Sequence, residues 1–87
     1  MTRQQRIEEQ LTAAFNPGEL EVTDQSHLHA GHAGAKDGRG HFRIRMRAES
    51  FAGLPQVQRH RQVYEALGAM MQTDIHALSI KALAPGE

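Results

Sequence analysis

The chain contains no cysteine in its 87 residues. That absence excludes a disulfide framework, a thiolate nucleophile and any metal site built wholly from protein thiolates, so a sulfur ligand would have to come from another molecule. Aromatic residues are nearly as scarce: three phenylalanines and one tyrosine offer no evident pair on which nucleic-acid bases would stack. Lysine plus arginine and aspartate plus glutamate number 10 each, which leaves no global field to hold a polyanion. Binding of that kind would need a local patch. No apolar run reaches the roughly 18 residues of a membrane span, and the opening MTRQQRIEEQ has neither a signal-peptide core nor the acid-poor character of a transit sequence. The expectation is a soluble cytoplasmic protein without membrane contact. A chain of this length suits one compact domain, residues 1–87, which buries roughly 60 to 65% of its unfolded surface and leaves little room for a deep catalytic cleft.

What the chain does have is histidine, six in all, three of them within SHLHAGH at residues 26–32. Around that cluster the apolar pattern changes period. Thr2-Arg3-Gln4-Gln5 fits a capping box, and Ile7, Leu11, Ala14 and Phe15 follow on one helical face, so residues 2–15 read as an amphipathic helix that NPG at 16–18 stops. ELEVTDQ, 19–25, and HFRIRMRA, 41–48, alternate with period two and read as strands. The second sets Phe42, Ile44 and Met46 against Arg43, Arg45 and Arg47. Between them, SHLHAGHAGAKDGRG, 26–40, has four glycines and is too long for a tight hairpin turn. A short FAG turn over 51–54 precedes a helix over 55–71, with Pro55 in its first turn and Val57, His60, Val63, Leu67 and Met70 marking its apolar face. Residues 74–83 form a third strand, with His76, Leu78 and Ile80 expected on one side and Ile75, Ala77 and Ser79 on the other.

The order helix, strand, strand, short helix, helix, strand limits the topology. The first two strands can pair antiparallel, whereas a helical crossover brings the third in parallel with right-handed chirality. The fold class is therefore α+β, a three-stranded mixed sheet packed against helices.

Several constellations could carry chemistry. His27, His29 and His32 could hold zinc, although a glycine-rich loop leaves their geometry unfixed, and the same residues suit a solvated polar loop. Arg43, Arg45 and Arg47, with Arg59 and Arg61 near the start of the long helix, could position phosphates; equally, they suit a solvated sheet face neutralised in part by Glu19 and Glu21. Asp24, Ser26 and the nearby histidines can be arranged on paper as acid, nucleophile and base, but nothing implies the fixed pocket that a hydroxyl nucleophile requires, and no enzymatic activity is expected.

Four separated blocks, EVTDQSHLHAGH, GHFRIRM, FAGLPQVQRHRQVYEAL and IHALSIKALAPGE, together resemble the BolA family, whose F-x-G, R-H-R-x-V-Y and I-H-A-L elements stand here in order over residues 5–85. The resemblance implies an αββααβ fold of the class II KH type. It also implies partnership with a monothiol glutaredoxin in a complex sharing a 2Fe-2S cluster with that partner and glutathione, and in some members a role as transcriptional regulator, with DNA as the alternative partner and stress response as the setting. The positions that match the family's cluster ligands are His29 in the loop and His76 in the I-H-A-L block, with His27 and His32 as alternates. Two imidazoles replace two cysteines on one iron of Rieske centres, so a cysteine-free chain can supply half of such a site. Arg59 and Arg61 are expected on the surface facing the glutaredoxin, and the isolated chain is expected to be a monomer without a cofactor. Two features depart from the pattern: Pro55 at the helix start, and a loop richer in histidine than two ligands require. A KH domain clamps RNA with a GXXG loop between helices, where this chain reads FAGLPQ.

Overall fold

The structure, a computed structural model, describes residues 1–26 and 39–87. The first helix, α1 (Arg3–Phe15), starts at the expected capping box. The Gln5 N–H donates to Thr2 Oγ1 at 3.1 Å and the Thr2 N–H to Gln5 Oε1 at 2.9 Å, so two otherwise orphaned helix-start donors are satisfied. Asn16, at φ 45°, closes the helix in the left-handed region and donates its N–H to the Thr12 carbonyl. Ile7 and Leu11 are fully buried; Ala14 falls off that stripe and is exposed.

Strands β1 (Glu19–Asp24), β2 (Gly40–Arg47) and β3 (Ile75–Leu83) form one sheet in that spatial order, β1 antiparallel and β3 parallel to β2. Phe42, Ile44 and Met46 of β2 are buried beneath the helices with Val22 of β1 and Ala82 of β3. A 3-10 turn (Glu49–Phe51) then drives Phe51 into the same core, where its ring lies 5.3 Å from that of Phe15.

The long helix differs from expectation. It divides into α2 (Gln56–Leu67) and a single turn, α3 (Met70–Thr73), because Gly68 adopts φ 53°, ψ −125° and ends the first segment. Pro55 caps the helix from outside its first turn, and Val57 is 68% exposed, beyond the reach of the core. The buried face of α2 is Arg59, Val63 and Leu67.

Asp74 ties this arrangement together. Its carboxylate meets Arg3 Nε at 3.2 Å and Arg6 Nη2 at 3.1 Å on α1, and its backbone carbonyl accepts the Gly40 N–H at 2.8 Å. The start of α1, the end of α3 and the first residue of β2 therefore meet immediately before β3. Among the described residues no helix is long and apolar enough to cross a membrane.

Candidate functional site

The parallel pairing of β2 with β3 runs Gly40↔Ile75 and then His41↔Ala77, so His76 is the extra residue of a bulge. This corrects the expectation that His76 shares a face with Leu78 and Ile80. Ile75 is buried, His76 and Ala77 are both exposed, and the core phase resumes at Leu78. Strict alternation in phase with Leu78 and Ile80 would turn His76 inward and Ile75 outward; the bulge lets Ile75 pack while His76 reaches solvent.

The same bulge brings His76 beside His41, their ring centroids 5.2 Å apart and their planes tilted by 51°. His41 is only 9% exposed and stands where the Phe42/Ile44/Met46 alternation turns outward, at the end of the row that continues through Arg43, Arg45 and Arg47. Its backbone is fixed on both sides: the N–H donates to Ser26 Oγ at 3.1 Å, and the carbonyl accepts the Gln25 N–H at 2.7 Å. Ser26 in turn donates its N–H to Asp24 Oδ1 at 2.9 Å, an Asx turn that ends β1. Gly40 permits this closeness, since a Cβ there would stand 2.6 Å from Phe42 Cε2 and 2.8 Å from Ser26 Oγ.

Arg39 Nη2 lies 3.2 Å from His76 Nδ1. A guanidinium is always protonated and has no acceptor, so the bond requires Nδ1 as acceptor and leaves Nε2 as the ring's N–H. Neither nitrogen can then ligate a metal without change: Nδ1 is covered by Arg39, and ligation through Nε2 would move the ring proton to Nδ1, opposite another donor. Metal capture by His76 therefore requires Arg39 to withdraw.

His27, His29 and His32 lie outside the described residues. Among the described residues no group of three or more histidine, aspartate or glutamate side chains could enclose a metal ion. Of the two rings only His76 is exposed, so the described residues can contribute a donor to an inorganic centre but do not complete one. An exposed imidazole is the donor type that would suit a cluster whose thiolates came from another molecule.

The predicted arginines separate into different roles. Arg59 is 5% exposed and is not a surface cation: Nε donates to the Leu54 carbonyl at 2.8 Å, Nη1 to the Ala82 carbonyl at 3.1 Å and to Glu87 Oε1 at 2.6 Å, and Nη2 to Glu87 Oε2 at 2.8 Å. Burial of so long a cation is tolerable because every arm of the fork is matched. The hydrogen bonds from Arg59, then that from the Ala84 N–H, hold the Glu87 carboxyl down to about 2. Arg61 is exposed on the opposite side of α2. On the sheet, Arg45 meets Glu19 at 2.9 Å and Arg47 meets it at 3.4 Å; hydrogen bonding from Arg45, then the charge of Arg47, lowers the Glu19 pKa. Arg47 also donates to the Ala84 and Glu87 carbonyls, at 3.0 and 2.7 Å. Arg43 is exposed.

Sequence reading missed His41 and Arg39. His41 had a visible signal, because it begins the period-two row Arg43, Arg45, Arg47; its neighbour in space, set by a bulge, had none.

Comparison with known proteins agrees with this architecture. The BolA domain of SufE1 from Arabidopsis thaliana superposes with a TM-score of 0.86 at 40% identity, covering 98% of this chain and 94% of that one. SufE-like protein 1, chloroplastic/mitochondrial, of Arabidopsis thaliana is 42% identical over 99% of this chain, which spans 24% of that protein's length. The Escherichia coli DNA-binding transcriptional regulator BolA is 39% identical over 92% of this chain and 73% of its own. The family model described as BolA-like protein matches residues 11–87. With that match across nearly its whole length, the chain belongs to the BolA-like family.

Proposed function

We propose that the chain is a non-enzymatic binding module that meets a monothiol glutaredoxin and lends histidine nitrogen to a shared 2Fe-2S cluster, in cluster assembly, transfer or iron-status signalling in the cytoplasm. The observation that carries this reading is the solvent-facing His76 on the β3 bulge, with the His41 ring 5.2 Å away. An imidazole raised on a bulge is reachable by a ligand centre held on a second protein, and rigid strands hold its backbone in place. Imidazole ligation raises the potential of such a cluster relative to all-thiolate ligation, which is the chemistry the bound group would supply.

Within the chain, the work divides by residue. His76 offers the accessible nitrogen, and His29 of the loop is the expected second donor, with His27 and His32 as alternates. The His41 ring packs against one side of the His76 ring, tilted by 51°. Arg39 occupies His76 Nδ1 until the ligand arrives. Arg61, exposed on α2, is kept as a partner contact, whereas buried Arg59 supports the helix that presents it.

The test is to mix the protein with a glutathione-loaded monothiol glutaredoxin cluster and follow visible absorption and circular dichroism. The wild type should change both spectra. His76→Ala should abolish that change while the far-ultraviolet spectrum stays native; an unaltered response in that variant would remove His76 from the site.

A second reading is DNA binding, favoured by the name of the Escherichia coli relative. Arg43 and Arg61 are the exposed cations that support it, while Arg45 and Arg47 are engaged with Glu19 and Arg59 is buried. A gel shift that weakens steeply with salt would favour this reading, and no shift at low salt would reject it.

A further inference from the structure

The face of the sheet turned away from the helices is uncovered, and its side chains line up in rows across the three strands. One row is Thr23, Arg43 and Ser79; the next is Glu21, Arg45 and Lys81. Together they border a hollow of about 350 Å³. Adjacent strands are about 4.8 Å apart, so Arg43 and the hydroxyls on either side of it, with Lys81 one row away, all fall within reach of a single tetrahedral anion.

The arginine stripe looks in sequence like a track for a polyanion, but its charges are not equivalent. Arg45 and Arg47 are spent on Glu19, and Arg47 also on the Ala84 and Glu87 carbonyls. Among the described residues no ion pair engages Arg43 or Lys81, and both are exposed. What remains is one guanidinium fork, one ammonium and two hydroxyls. These groups can satisfy the oxygens of one phosphoryl group. They make a poor track for a nucleic-acid backbone, because Glu21 places negative charge on the β1 side, and no aromatic side chain borders the hollow to stack a base.

We propose that this open-face hollow binds a small phosphate monoester. Arg43 and Lys81 hold the phosphoryl oxygens, Thr23 and Ser79 donate hydroxyl hydrogens to them, and Glu21 at the rim accepts from a hydroxyl on the esterified group. The ligand class is a phosphorylated polyhydroxyl compound of sugar size, since 350 Å³ stands at the small end of ligand sites. The site lies one row along the same face from His41, and its ligand does not depend on the glutaredoxin reading.

The experiment is titration of the uniformly 15N-labelled chain with ribose 5-phosphate, inorganic phosphate, ribose and a single-stranded oligonucleotide, following backbone amide shifts. The expected result is saturable movement at residues 23, 43, 79 and 81 with ribose 5-phosphate, smaller or weaker with phosphate and absent with ribose. Arg43→Gln/Lys81→Gln, both surface changes that leave the core intact, should weaken binding about tenfold or more while amides of the core keep their positions. Linear, unsaturable shifts with every anion would overturn the proposal. So would tighter binding by the oligonucleotide, which would assign the face to nucleic acid instead.

Discussion

Replacing Gly40 by alanine adds a single methyl group at the junction between the fold and the candidate site, and the structure says what that group meets. Its Cβ would lie 2.6 Å from Phe42 Cε2, 3.0 Å from Phe42 Cζ and 2.8 Å from Ser26 Oγ. Carbon atoms in contact prefer about 3.5 to 4.0 Å, so the ring edge must retreat by about 1 Å. The Ser26 hydroxyl can rotate, but in doing so it gives up its bond from the His41 N–H. Phe42, 2% exposed in the core, has nowhere open to go. Overpacking of this kind costs about 1 to 3 kcal/mol and the lost bond about 1 kcal/mol. A buried methyl returns about 0.8 kcal/mol, and the stiffer unfolded chain about 0.4 to 1 kcal/mol. The net expectation is a loss of about 1 to 2 kcal/mol, or about 4 to 16 °C in melting temperature for a domain of this size. Urea unfolding followed by circular dichroism measures it. Phe42→Leu in the Gly40→Ala background should recover part of the loss, giving a favourable coupling in a double-mutant cycle. A Gly40→Ala protein as stable as the wild type, or one whose loss simply adds to that of Phe42→Leu, would refute the steric reasoning.

Other expectations are read from single side chains. Leu67→Ala empties a fully packed position, 1% exposed, and should cost about 2 to 5 kcal/mol by chemical unfolding. The Asp74 carboxyl is held below its ordinary value of 3.8 by the Thr73 hydroxyl first and then by Arg3 and Arg6, and Glu87 is lowered from 4.5 to about 2 by Arg59 and the Ala84 N–H. For both, the folded pKa is depressed, so their stabilisation is complete above the unfolded values and fades as pH falls from about 4.5 towards 2. Glu87→Gln should flatten the acid limb of a stability–pH profile in that window, and a profile unchanged by it would show that the Arg59 pair is not formed. Arg39→Ala removes the donor that covers His76 Nδ1, so the glutaredoxin-dependent circular dichroism change should saturate at lower protein concentration. An unshifted midpoint would show that Arg39 does not compete for the ring.

Much of the architecture was visible in the residues, because local chemistry and tertiary packing agree there. The Thr2–Gln5 capping box, the Asn16-Pro17-Gly18 stop and the alternation of Phe42, Ile44 and Met46 each specify an element without help from elsewhere. Helix α2 was harder to read. Met70 and Met71 continue the apolar spacing past Gly68, so the pattern conceals a break that only the backbone angles of Gly68 reveal. Val57 fits the expected stripe, yet the buried face runs through Arg59, Val63 and Leu67, about a third of a turn round the helix, and leaves Val57 in solvent. Arg59 carries the opposite lesson: a charged residue lies on the buried face because Glu87, 28 positions later, folds back to match it. The candidate site was half legible. His76 stood out by family resemblance, but its outward direction comes from a bulge defined by the register against β2, a property of two strands that no single-strand pattern contains. The neighbour it gains there, His41, belongs in sequence to a strand more than thirty residues away.

The account turns on imidazole nitrogen from this chain reaching iron held by another molecule. Pulsed electron paramagnetic resonance of the reduced glutaredoxin complex, with 15N-histidine incorporated only in this chain, reads that bond directly. The expected spectrum shows strong 15N couplings that diminish in His76→Ala and again on loss of the loop donor His29. A reduced cluster with no coupling to labelled histidine, in a complex shown to contain both proteins, would contradict the account.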